Sequence, residues 1–360
     1  MKYNNYLVIR NDGIGDLILS LPLIYRIKKE KSENRVYLIC SNRNIELAKY
    51  LKKTKLIHNI CLLDLKKSKY LGYLNILKSL RSIIFKDIYI LKPSISNLFL
   101  SLMLNREKIF SVISIDTSKL FGIKKHSPPL LTKLFLKDYE LIDSRNNFDN
   151  SLNIHMSKHF LNLINLSNVN KSKFYRDIIL DHNIFYHSEL RYEKKIRNLI
   201  KHKKTKKIVL FHFDEKWNNS NTNTDVLLKK LELILTNKDI IFFLTKGIKA
   251  NKYEDQFRKN IKLNIFKNNI ITSKTYNNIY FFKKNTYLEL VSLVKICDLI
   301  ITPHGGLSHT STLFGKKLID LIKIERKNFY RKWKPLNKYI KQVNIDNINE
   351  VERNIITFLK

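Results

Sequence analysis

Asp298-Leu-Ile-Ile-Thr-Pro-His-Gly-Gly-Leu-Ser-His-Thr-Ser-Thr-Leu-Phe-Gly315 reads as a short apolar strand, a tight turn and a small helix. Leu299 to Thr302 are rich in β-formers, and Pro303, which cannot donate to a ladder, ends the run. Gly305 and Gly306 let backbone approach a ligand with no Cβ in the way. Ser308 or Thr310 then opens a helix whose unpaired N–H groups and positive dipole end face the turn. Such a turn suits an anion, most naturally a phosphate; the plainer alternative is a connection that merely uses glycine. Glycine usage favours the anion site. The chain has only eight glycines: two lie here, Gly315 closes the small helix, and Gly13 and Gly15 lie in the first strand-to-helix turn.

Outward from this stretch the chain alternates strands and helices. Tyr6 to Arg10 is a compact β-rich run, typical of a strand buried on both faces, followed by the turn Asn11-Asp-Gly-Ile-Gly-Asp16. Leu17 to Glu30 follows helical spacing, with Pro22 expected to kink it or to close its first turn. Strands at 35–40, 57–63, 87–91 and 109–115 alternate with helices at 45–51, 71–85 and 93–104. Residues 116–150 read as an irregular loop over a cleft, and His155 to Leu166 as an amphipathic helix. After a basic helical stretch at 188–200 the pattern restarts: strand 207–213, a polar loop 214–225, helix 226–235, strand 240–245, helix 253–261, strand 279–282 and helix 286–297 lead into the opening stretch. A further strand is expected at 318–322 and a last helix at 351–359. Strict alternation implies doubly wound parallel sheets in two Rossmann-like α/β domains, 1–200 and 201–345, with 346–360 packing back on the body. Ligands in such sheets bind outside the carboxyl ends of the strands, where the turns at 11–16, 214–225 and 303–309 fall.

The 360 residues suit two domains of ~100–200 residues each. A formal charge of +36 has two sources to weigh: a polyanionic partner, or a Lys-, Asn- and Ile-rich compositional bias. Lys outnumbers Arg by 53 to 14 and is spread along the chain, which favours bias over a dedicated nucleic-acid binder, where Arg suits phosphate and guanine better. Attraction to an anionic membrane surface would follow from the same charge. Cys40, Cys61 and Cys297 lack metal spacing and sit in apolar runs, so they read as buried thiols of a reducing cytoplasm. Neither a signal peptide nor a run of ~20 uncharged apolar residues stands out, so a cytoplasmic protein, peripheral at most to the inner face of the cytoplasmic membrane, is expected.

The opening run, Tyr6-Leu-Val-Ile-Arg-Asn-Asp-Gly-Ile-Gly-Asp-Leu-Ile-Leu-Ser-Leu-Pro22, resembles the start of the heptosyltransferases, glycosyltransferase family 9. Gly306-Leu-Ser-His309, followed by a short helix and Gly315, is similar to their second signature, and Glu215-Lys-Trp217 to their Lys-Trp loop. The three motifs stand in family order across nearly the whole chain. The resemblance implies the GT-B fold, two Rossmann-like domains facing a cleft, with the acceptor bound by the first and a nucleotide-sugar by the second. It implies that Asp16 is the catalytic base, removing the acceptor hydroxyl's proton as it attacks the anomeric carbon. Local reading leaves Asp16 an alternative role as a helix cap. The resemblance further implies that Lys216 neutralises the leaving diphosphate, that Gly305, Gly306, Leu307, Ser308 and His309, with His304, form the donor turn, and that Asn11, Gly13 and Gly15 form the acceptor turn.

Two departures stand out. His304-Gly305-Gly306 occupies the place of the family's Asp-Thr-Gly, and the stretch after Gly247 lacks an acidic residue for the ribose. Both bear on which sugar and nucleotide are used rather than on the fold. Glu289 and Asp298 read as solvated helix-end or strand-entry residues. The expected function is therefore inverting, metal-independent transfer of a sugar, a heptose on ADP first among the candidates, to a lipid-linked lipopolysaccharide-core or related cell-surface glycan. No cofactor, metal cluster or nucleic-acid partner is expected. The competing readings are a polyanion-binding protein and a GT-B-like sugar-nucleotide epimerase or hydrolase.

Overall fold

The computed structural model describes residues 4–64, 69–115, 134–136, 138–143, 155–163, 190–201, 207–214, 216, 237, 239–247, 263–265, 270–273, 276–335 and 338–359. The chain divides into two compact units: Met1–Ile184 with Asn328–Lys334, and Phe185–Lys327 with Pro335–Lys360.

In the first unit, β1 (Asn5–Ile9), α1 (Ile14–Glu30), β2 (Arg35–Ser41), α2 (Ile45–Lys53), β3 (Asn59–Leu63), α3 (Lys69–Leu80), β4 (Phe85–Ile90), α4 (Ile95–Leu102), β5 (Arg106–Ile115), β6 (Asp138–Asp143) and α5 (Met156–Asn162) follow one another. The strands lie in the order β3-β2-β1-β4-β5-β6, all parallel, with Val8 paired to Leu38 on one side and Tyr89 on the other. Leu7, Ile9, Ile39, Phe85, Ile88 and Ile90 share one apolar cluster. Full burial of side chains of this kind stabilises the fold by roughly 1.5–3 kcal/mol each.

The second unit runs α6 (Leu190–Ile200), β7 (Lys207–Phe213), β8 (Ile240–Lys246), β9 (Leu263–Ile265), β10 (Ile270–Ser273), β11 (Ile279–Phe282), α7 (Tyr287–Ile296), β12 (Leu299–Pro303), α8 (Gly306–Leu313) and β13 (Lys317–Ile322). Beyond α9 (Lys327–Trp333), which from Asn328 onward belongs to the first unit, the second unit resumes with β14 (Ile340–Asn344) and α10 (Ile348–Leu359). Sheet order is β14-β13-β12-β7-β8-β11-β10-β9. Without the antiparallel pair β9–β10 at one edge, the order read from β11 to β14 repeats that of the first unit. Residues of β7 alternate between two cores: Val209, Phe211 and Phe213 face one, Leu210 the other. With β9 and β10 left out, the strand order in each unit reverses between the first strand and the fourth: β1 and β4, then β7 and β12. Loops leaving such a reversal diverge to opposite faces and open a crevice at the carboxyl ends.

Several boundaries differ from the sequence reading. The first helix begins at Ile14, so Gly15 and Asp16 lie in its first turn rather than in a loop, and Pro22 sits inside it. The small helix opens at Gly306, not at Ser308 or Thr310, because Ser308 bonds back to the Gly305 amide and caps the turn from within. Phe85 begins β4 instead of ending a helix. Residues 138–143, expected to be irregular, form β6: backbone pairing along β5 supplies the register that a charged sequence hides. The expected helices at 226–235 and 253–261 lie outside the described residues, as does most of the 214–225 loop. The three cysteines are free and buried, and burial pushes the Cys40 thiol up to about 12.

Candidate functional site

At the first reversal, β1 delivers Arg10 to the foot of α1. Its side chain is 2% exposed. Arg10 Nη2 bonds Asp16 Oδ1 at 3.2 Å, Nε bonds the Asp16 carbonyl at 3.0 Å, and Nη1 donates to the Leu91 carbonyl after β4. Nε also pairs with Asp12 Oδ1 at 3.3 Å, and the guanidinium lies 5.0 Å from the Phe160 ring centre. One buried cation thus holds two carboxylates on one turn. The second oxygen of Asp16, Oδ2, accepts from the Gly13 amide at 3.2 Å. A Cβ on Gly13 would stand 3.0 Å from that oxygen, so glycine here makes room for the carboxylate. Asp16 is therefore both a helix cap and a partly exposed carboxylate, its side chain 33% accessible.

Asp12 differs from Asp16. Burial pushes its carboxyl up to about 7, opposed by Arg10 and reinforced by the charge of Asp16. Its side chain is 21% exposed. A carboxyl that titrates near neutrality is matched to general acid–base work. Beside it, Asn11 Nδ2 bonds Asn97 Oδ1 at 3.1 Å, the Tyr73 hydroxyl donates to the same oxygen at 2.8 Å, and Asn97 Nδ2 reaches the Lys92 carbonyl at 2.8 Å. Lys92 Nζ lies 3.4 Å from the Asn11 carbonyl, and burial lowers its pKa against the pull of Asp12. The first unit thus brings Asn11, Gly13 and Asp16 together; Gly15 is buried in α1.

At the second reversal, β12 ends in Pro303 and the chain turns through His304 and Gly305 into α8. Asp320, on neighbouring β13, is fully buried. Its carboxylate takes three bonds: His304 Nδ1 at 2.9 Å, Ser308 Oγ at 2.7 Å and Gln342 Nε2 at 3.0 Å. A buried carboxylate is tolerated when donors saturate it. The His304 and His309 rings meet edge-on, with centres 5.3 Å apart. Lys216, leaving β7, donates from Nζ to the His304 carbonyl. A Cβ on Gly305 would lie 3.1 Å from that ammonium, so this glycine lets the lysine come close to the turn. An exposed ammonium and the first amides of α8 thus meet at one turn, the charge pattern of an anion site. Below it, His212 bonds Thr245 Oγ1 at 2.9 Å. Burial, then the charge of Lys216, lowers His212 to about 4, so it is neutral at pH 7.

Lys216, His304, Gly305, Ser308 and His309 are therefore assembled in one place, while the Leu307 side chain turns inward to the core and offers only its amide. Glu215 and Trp217 lie outside the described residues. Glu289 is the return partner of Thr286 in the capping box of α7, and Asp298 Oδ2 accepts from the Ile208 amide at 2.8 Å, so both serve the scaffold. Sequence reasoning missed Arg10, Asp12, Asn97 and Asp320. Three of them carried a signal: Arg10 directly follows an apolar strand, Asn97 interrupts an apolar helix, and Asp320 lies inside the apolar run Leu318–Ile322. Among the described residues no cluster of His, Cys, Asp and Glu has the grouping of a metal site.

No protein-family model matches the sequence, and no curated protein matches it either. Solved structures do. A family 9 glycosyl transferase from Veillonella parvula is 12% identical, with 100% of this chain and 98% of that one covered and a TM-score of 0.70. An E. coli heptosyltransferase with ADP is 8% identical, covering 98% and 99%, with a TM-score of 0.66. A UDP-GlcNAc 2-epimerase from Neisseria meningitidis bound to UDP-GlcNAc is 12% identical, covering 99% and 91%, with a TM-score of 0.59. Likeness over the whole chain, at identities this low, fixes the architecture: each unit is Rossmann-like, and the fold is that of the GT-B glycosyltransferases and sugar-nucleotide epimerases.

Proposed function

We propose that the chain is an inverting glycosyltransferase that moves a sugar from a nucleotide-sugar to a lipid-linked lipopolysaccharide-core or related cell-surface glycan, with ADP-heptose first among donors. The observation that carries the reading is the pairing of opposite chemistries at equivalent points of the two units: carboxylates at the β1–α1 turn, and a lysine with a helix N-terminus at the β12–α8 turn. In this reading the acceptor hydroxyl attacks the anomeric carbon and its proton passes to Asp16. The bond to the diphosphate breaks, and the electron pair leaves with it. Lys216 and the α8 amides meet the charge that develops on the leaving group, usually the largest single contribution in such a step. The protein works in the cytoplasm at the inner membrane face, drawn there by its positive charge; among the described residues no helix is long and apolar enough to cross a membrane.

Thermal stability against ADP, UDP, GDP, CDP and TDP tests this. A nucleotide at 100 times its Kd adds about 2.7 kcal/mol. A shift with ADP that disappears in Lys216→Ala is the expected result; a shift with another nucleotide redirects the donor, and no shift with any refutes a donor site. Asp16→Ala should keep the shift and lose transfer, and full activity in that variant removes Asp16 from the base role. The similarity to an epimerase bound to UDP-GlcNAc supports a second reading, epimerisation or hydrolysis of a sugar nucleotide. Product analysis with and without acceptor separates the two.

A further inference from the structure

Helices α3 and α4 leave between them a trough of about 500 Å3. Tyr70 and Leu74 of α3 line it at helical spacing, as do Ile95, Phe99 and Met103 on and just after α4. They are 82, 44, 43, 47 and 64% exposed respectively. Contiguous apolar surface of this kind is costly in water and marks a binding surface, and the volume falls within the ~300–1,000 Å3 range of ligand pockets.

The trough has direction. Its inner wall includes Tyr73, whose hydroxyl bonds Asn97 Oδ1, the atom that also receives Asn11 Nδ2. Asn11 adjoins Asp12 and opens the turn that holds Asp16. Its lining is apolar and aromatic, and through the Tyr73 hydroxyl it abuts the Asn11–Asn97 amides that adjoin the β1–α1 turn. That sequence of surfaces matches a molecule with an alkyl chain joined to a glycan. Charge agrees: neither helix carries an acidic residue, Lys78 and Arg81 are exposed at the end of α3, and the chain as a whole carries +36. A membrane-derived glycolipid with acidic or phosphorylated sugars complements such a surface.

We propose that the α3–α4 trough seats an acyl chain of the lipid-linked acceptor, so that the chain's glycan head lies at the Asn11–Asp16 turn; this rests on the transferase reading above. The enzyme then recognises its acceptor by lipid as well as by sugar. A chain held equally in the ground and transition states lowers KM and leaves kcat little changed.

The test has two arms. Transfer is measured to an acylated acceptor and to its deacylated glycan, for the wild type, Leu74→Glu, Phe99→Glu and the exposed off-trough control Ile84→Glu. The trough variants should raise KM for the acylated acceptor by about tenfold or more, the effect of losing a few buried methylenes. Their kcat, their nucleotide-induced thermal shift and their KM for the deacylated glycan should stay as in the wild type, and Ile84→Glu should change nothing. Equal KM values for both acceptors in the wild type overturn the proposal. The second arm needs no activity: the methyl carbon resonance of labelled Met103 should shift saturably with a dodecyl glycoside below its micelle concentration, and not with the free sugar. A Met103 signal indifferent to the dodecyl chain refutes the trough. A saturable shift in a chain that transfers to no acceptor keeps the alkyl site and refutes the transferase role.

Discussion

The two strand-order reversals solve one problem in opposite ways. In the first unit, a buried cation organises anions: Arg10 gathers Asp12, Asp16 and the Leu91 carbonyl, with Phe160 against its guanidinium. In the second, a buried anion organises donors: Asp320 gathers His304, Ser308 and Gln342, and the cation, Lys216, stands exposed above the turn. The exposed chemistry is thus the complement of the buried one. A turn built on hidden positive charge presents carboxylates, and a turn built on a hidden carboxylate presents positive charge and amides. Sign is set from beneath, by a residue that need never touch a ligand.

Breaking each anchor tests this. Arg10→Ala should have the largest effect, on the order of 3–5 kcal/mol of stability, since two partly buried carboxylates and two carbonyls lose their common partner. Urea unfolding measures it, and a loss under ~1 kcal/mol, the median worth of a surface pair, would show Arg10 to be dispensable. Asp320→Ala should follow, at about 1–3 kcal/mol for donors left without an acceptor. It should also abolish the nucleotide-induced thermal shift, because His304 and Ser308 define the turn; a normal shift would uncouple the anchor from the site.

The smallest expected effect sharpens the contrast through pH. Asp12 titrates at about 7 in the folded protein, pushed up by burial against Arg10, with Asp16 and Lys92 also facing it. The unfolded value is about 3.9. A folded pKa above the unfolded one gives stability that is full below pH ~4 and lost as pH rises through ~7. Asp12→Asn should flatten that loss relative to the wild type across the same window. Identical slopes would mean that Asp12 is an ordinary surface carboxylate. His212, lowered to about 4 by burial, acts in the other sense, its contribution present above ~6.5 and lost toward ~4, so the comparison must be made between variant and wild type.

How much could be read from the chain follows the same division. Strands such as Tyr6 to Arg10 and Leu299 to Thr302 were legible because a strand covered on both faces has to be apolar throughout. The turn residues were legible because glycine is scarce and clusters there. The roles proposed for Asp16 and Lys216 rest on the family pattern, since locally they read as a cap and a loop lysine. Arg10 and Asp320 stayed hidden because a charge at a strand end or inside a strand is ordinarily taken as solvent-facing; only the partners brought by other strands make its burial tolerable. Edge strands such as β6 and β14 lack a two-sided apolar code and take their register from a neighbour.

One feature of the first unit reaches into biogenesis. Asn328–Lys334 belongs to that unit, although the second unit surrounds it in sequence. Half-buried His155 fastens it: Nε2 donates to the Lys334 carbonyl at 2.9 Å while Nδ1 caps α5 by accepting from the Ser157 amide at 3.3 Å. That tautomer is neutral, and burial, which lowers the ring to about 4, keeps it so. The first unit therefore receives its last segment late in synthesis. On the ribosome the His155 Nε2–H is without this carbonyl until nearly the whole of the second unit has been translated.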